Sequence, residues 1–175
     1  MSNYPEIFPT VAVLFVGLVA CAFDLRWRRI PNALTFGAAA AALVFHTSMT
    51  GFSGLQTAAF GWIVGTALFL PFFLLGGMGG GDVKLLAALG AWLGAGDAIW
   101  LAIYGSIAGG VLAIIYSLAH GYLATALRNI GALLKYWSVV GPRPMPTLTL
   151  EGGTAPRLAF AVPMLVGLMV TLWVR

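Results

Sequence analysis

Long apolar runs, broken by short polar or glycine-rich stretches, set the pattern of this chain. Phe8–Phe23, Leu34–Met49, Leu55–Leu75, Ala98–Ala119 and Leu158–Val174 each come near the roughly 20 residues that carry a helix across a bilayer. Val83–Leu93 is shorter and reads either as a half-span or as a buried core helix. Pro31 stands just before the second run, where a missing N–H costs a helix nothing, and Pro71 predicts a kink in the third. The runs are separated by Asp24–Asn32, by Thr50-Gly51-Phe52-Ser53-Gly54, by the glycine-rich stretch from Gly76 to Asp82, and by Gly94-Ala95-Gly96-Asp97. His120–Pro156 is longer and less apolar, and its Gly141-Pro142-Arg143-Pro144-Met145-Pro146 reads as an extended, disordered connection. The expected fold is all-α: a polytopic membrane helix bundle of about six transmembrane helices, forming one integral-membrane domain over residues 1–175.

Composition sharpens this picture. The 175 residues are 61% hydrophobic and only 8% charged, whereas soluble domains carry about 25% charged residues. The net charge of +4 does not imply nucleic acid, because the cations lie between apolar runs, where they orient the chain and meet anionic lipid. Arg26, Arg28 and Arg29 mark the first loop as cytoplasmic. With six spans, eight of the nine basic residues face the cytoplasm, Arg175 ends outside, and Glu6 and Asp97 face outside with both termini. Glu6 stands where a cleaved signal peptide would be basic, so the first run is expected to be retained. The single cysteine, Cys21, lies in an apolar run and cannot build a disulfide framework or a cysteine zinc site within one chain.

Against this background two acids stand out. Asp24 lies in Phe23-Asp24-Leu25-Arg26-Trp27-Arg28-Arg29-Ile30-Pro31-Asn32, and Asp82 in Gly79-Gly80-Gly81-Asp82-Val83-Lys84-Leu85. They are 58 residues apart, yet the expected topology puts both on one membrane face. A carboxyl group at the edge of a bilayer core costs several kcal/mol unless it is used or paired. Two carboxyls in a low-dielectric site hold one proton between them, so one acts as base on water while the other donates to a carbonyl oxygen. The glycines before Asp82 let backbone approach an extended peptide closely.

Each element also has a plainer reading. Asp82 alone fits a helix N-cap, and Asp97 after Gly96 is read as one. Asp24 alone would pair with a neighbouring arginine. His46 and His120 are read as structural, and Lys84 either meets lipid phosphate or tunes Asp82. Intramembrane carboxylates also serve small proton- or ion-coupled transporters, which is the alternative function.

Taken together the two motifs are more specific. Asp24 followed by Arg28-Arg29-Ile30-Pro31-Asn32, then Gly79-Gly80-Gly81-Asp82-Val83-Lys84-Leu85, resembles the type IV prepilin peptidases, the Gly-x-Gly-Asp membrane aspartyl proteases. The stretch Leu86–Gly94 and the final Arg157–Pro163 resemble the family as well. The resemblance implies Asp24 and Asp82 as the catalytic pair, with Pro31, Asn32, Gly79, Gly81 and Lys84 as residues that shape the site, and no metal or cofactor. It implies prepilin or pseudopilin substrates cut at the cytoplasmic face of the bacterial inner membrane, and pilus-assembly machinery as a possible partner. Larger members carry a zinc-binding cytoplasmic part and many also methylate the new N-terminus; the nine-residue first loop here resembles the short form associated with tight-adherence (Flp) pili.

Overall fold

A computed structural model describes the backbone of residues 4–145, 147–149 and 158–175, with side chains from residue 7 onward. Glu6 and Arg157, both used in the orientation argument, therefore lie outside the described side chains. The described residues form seven helices and no strand: α1 (Tyr4–Trp27), α2 (Asn32–Thr50), α3 (Phe52–Leu74), α4 (Gly80–Leu93), α5 (Ala95–Ala119), α6 (Leu123–Val140) and α7 (Ala161–Val174). Four of them, α1, α2, α3 and α5, are long and apolar enough to cross a membrane. The six apolar runs map onto α1–α5 and α7. The element missing from the sequence reading is α6, which occupies part of the stretch read as a connection.

The short helix α4 is the hub. Val83 and every residue from Leu85 to Leu93 are buried, and α1, α2, α3, α5 and α7 all pack against it. At 1.5 Å per residue it is only about 21 Å long, shorter than a hydrocarbon core of about 30 Å. Of the two readings of this run, the core helix is the one observed.

Apolar burial gives little drive between helices already in lipid, so close packing between small residues must hold such a core together. The α3–α4 seam has that form. A side chain at Gly61 would collide with the carbonyl of Gly90, and one at Gly65 would meet the Leu86 carbonyl oxygen at 2.7 Å. These pairings make α3 and α4 antiparallel. The α5–α7 seam repeats the device at Gly105 and Gly167.

Contacts along the helices also fix which ends lie together. Asn32 meets Lys84 and His46 meets Trp92, so α2 and α4 run parallel and start at the same end. Gly109 faces Phe160 while Asp97 meets Arg175, so α5 runs back toward the start of α7. The starts of α2, α4 and α7 and the ends of α1 and α5 therefore share one end of the bundle.

Candidate functional site

Asp24 lies inside the last turn of α1, which continues to Trp27, rather than closing it. The helix stops because Arg28 turns left-handed (φ 54), with its N–H bonded to the Asp24 carbonyl at 2.9 Å. A non-glycine residue rarely adopts that conformation. Here it sends the chain sharply toward Ile30, Pro31 and Asn32, and Pro31 (φ −62, ψ 135) takes the N-cap position of α2.

The Asp24 side chain is buried, at 8% exposure. One carboxylate oxygen, Oδ2, accepts the backbone N–H of Ala161 at 3.1 Å. Ala161 is the first residue of α7, so an unpaired N–H of that helix, at the positive end of its dipole, is aimed at the carboxylate. Sequence reasoning missed this residue because a backbone donor leaves no residue-type signature. Pro163 in the first turn was the available signal that a helix begins there.

Asp82 is not the N-cap of α4. Gly79 holds that position in extended backbone (φ −75, ψ 143), and Asp82 stands in the first turn with its N–H on the Gly79 carbonyl at 3.1 Å. Asp82 lies outside the four helices of spanning length. Burial pushes its carboxyl up to about 7, the nearby Asp24 adds to this, and a hydrogen bond from the Gly79 backbone opposes it.

The two acids line one cavity of about 680 Å³ with Trp27, Arg28, Asn32 and the Gly79–Gly81 backbone. The two sequence motifs also hold each other. Ile30 packs on Gly81, where an added Cβ would come within 3.3 Å of the Ile30 Cβ. A Cβ at Gly79 would stand 3.2 Å from Asp82 Oδ2. Both glycines are explained by close approach rather than by unusual backbone angles. Lys84 Nζ donates to Asn32 Oδ1 at 3.0 Å and lies 5.6 Å from the centre of the Phe36 ring, so it ties α4 to α2. Pro31 and Asn32 thus lie at this site together with Gly79, Gly81 and Lys84.

A second, mostly apolar cavity of about 330 Å³ adjoins the first through Gly80. It lies between α2, α3 and α4, with Phe36, Trp62, Leu70 and Phe73 in its wall and Lys84 beside them.

The remaining polar residues fall elsewhere. His46 bonds the Trp92 carbonyl at 3.1 Å, and His120 stacks on Tyr116; both are structural contacts. Asp97 was expected to cap α5, but Gly94 is the N-cap and Asp97 pairs with Arg175 at 3.0 Å, away from the cavity.

These features define a helical membrane protein with two carboxyl groups facing one glycine-lined cavity. Residues 11–114 match the type IV leader peptidase family, and the chain belongs to it. The chain is also 36% identical over 148 residues to the prepilin leader peptidase/N-methyltransferase of Neisseria gonorrhoeae, a match covering 68% of this chain and 51% of that protein. It therefore spans about half the length of that curated relative. No solved structure matches the chain significantly. Family membership does not favour the ion-coupled transporter.

Proposed function

We propose that this chain is an aspartyl endopeptidase of the membrane that removes the leader from prepilin or pseudopilin substrates, with Asp24 and Asp82 as its catalytic pair. One observation carries the reading: two acids 58 residues apart line a single cavity beside the Gly79–Gly81 backbone. With one proton on the pair, the ionised carboxylate takes a proton from water as that water attacks the scissile carbonyl carbon. The protonated carboxyl donates to the carbonyl oxygen, giving a neutral tetrahedral diol. The carboxyl that gained the water's proton passes it to the amide nitrogen. The C–N bond breaks, and a diol hydroxyl returns its proton to the other carboxylate. The pair ends as it began, and no covalent intermediate forms.

The high proton affinity of Asp82 supports this sharing. The apolar cavity next to Gly80 suits the hydrophobic segment that follows a leader junction. Arg26, Arg28 and Arg29 close α1 at the same end, and the enrichment of cations on the inner side supports a cytoplasm-facing site in the bacterial inner membrane, with both termini outside. The test is co-expression with candidate prepilins, following the fall in pilin size. Wild type is expected to produce the shorter form, and Asp24→Asn or Asp82→Asn only the precursor at an unchanged membrane level. Full cleavage by either variant overturns the assignment.

A further inference from the structure

Helix α6 has no role in the peptidase reading. It is the most amphipathic of the described helices, and none of its residues is buried. Leu123, Leu127, Ile130, Leu134 and Trp137 recur at the three- and four-residue steps that place side chains on one helix face. Leu127, Ile130 and Leu134 are more than half exposed, at 59%, 54% and 60%. Arg128 and Lys135 lie together on one side of this stripe, and no acidic residue occurs between Asp97 and Glu151.

We infer that α6 is an interfacial helix, seated flat on an anionic bilayer surface at the aspartate end of the bundle. Two observations choose lipid over other occupants. Only His120, Gly121 and Tyr122 separate α6 from α5, a 25-residue helix long and apolar enough to cross the membrane, so the start of α6 is held near the bilayer surface. The charge around the stripe is wholly cationic, as suits lipid phosphate, and an amphipathic helix of this kind places its apolar face at the boundary between headgroups and acyl chains. The chain after α6 then returns to the site, where Thr149 packs on Gly76 and a Cβ at Gly76 would meet Thr149 Cγ2 at 2.6 Å. Seating α6 anchors this return beside the loop that leads into Asp82. The inference concerns lipid and does not depend on peptidase activity.

The test uses the full chain with Cys21→Ala, carrying one new cysteine and an environment-sensitive fluorophore, in lipid nanodiscs. Leu134→Cys reports the apolar face and Ala132→Cys the opposite one. With bromine on the acyl chains of phosphatidylglycerol-containing discs, the label at 134 is expected to lose most of its emission while the label at 132 keeps it. Discs of phosphatidylcholine alone, equally brominated, are expected to quench position 134 less, and Arg128→Glu with Lys135→Glu is expected to erase that lipid preference. Equal quenching at 132 and 134, as for a helix immersed in lipid, overturns the inference. So does no quenching at either, as for a helix in water or against a second copy, and so does quenching indifferent to phosphatidylglycerol.

Discussion

Asp82 and Asp97 open neighbouring helices in nearly the same local sequence. Each follows a glycine N-cap by three residues, in Gly79-Gly80-Gly81-Asp82 and Gly94-Ala95-Gly96-Asp97. Their surroundings differ completely. Asp97 meets the guanidinium of Arg175 in a half-exposed ion pair at one end of the bundle. Asp82 shares a cavity with a second carboxyl at the other end, where its neighbours favour the protonated form. Local sequence places an acid at a helix start, and the tertiary partner decides whether it meets a guanidinium or a second carboxyl.

Removing one charge separates the two acids most sharply. Asp24→Asn or Asp82→Asn is expected to cut leader cleavage by at least about 100-fold, the lower range for losing a general acid or base, while Asp97→Asn stays near wild type in the same size-shift assay. The double Asp24→Asn/Asp82→Asn variant should fall no further than either single one, because the two act as a unit. Next in size is Gly61→Leu or Gly90→Leu. Each forces a side chain into the backbone of the facing helix and should displace α4 and with it Asp82, seen as a lowered melting temperature and early aggregation in detergent.

The effect of pH separates the two ends more finely. Burial, with Asp24 nearby, raises the Asp82 carboxyl from the ordinary 3.8 to about 7, so the folded protein is expected to keep that proton up to about pH 7. The unfolded chain releases that proton near pH 4, so folded stability should fall as pH rises from about 4 to about 7 and then level off. Melting curves across this range should flatten in Asp82→Asn, which should also melt above wild type at pH 8. Cleavage by the wild type should decline above about pH 7 as the shared proton is lost. A smaller effect is expected at Lys84→Met or Asn32→Ala, which remove one hydrogen bond between α4 and α2, worth about 1 kcal/mol. The double variant should cost little more than either alone. The smallest change belongs to Arg175→Ala. Its half-exposed pair, with Arg175 largely in solvent, is worth about 1 kcal/mol, and cleavage should be unaffected.

Most of the helices were legible because long apolar runs have few other fates, and glycine and proline punctuated them in the right places. The two acids were legible as a pair from charge scarcity and flanking motifs. Three features were not. The sparse apolar stripe of α6 lacks the density of a span, so it passed for a loop. Ala161 meets Asp24 through its backbone, which every residue type carries. The hydrogen-bond partner of Lys84 is neither lipid nor Asp82 but Asn32, 52 residues away, which only folding brings there.

Because α4 is clamped along almost its whole length, the acid at its mouth is mounted on a rigid post. The opposing carboxyl precedes an exposed elbow at Arg28 and Arg29, beyond the last turn of α1. Under the proposed function, room for an incoming polypeptide is made on the elbow's side, and stiffening that bend should slow admission without touching either acid.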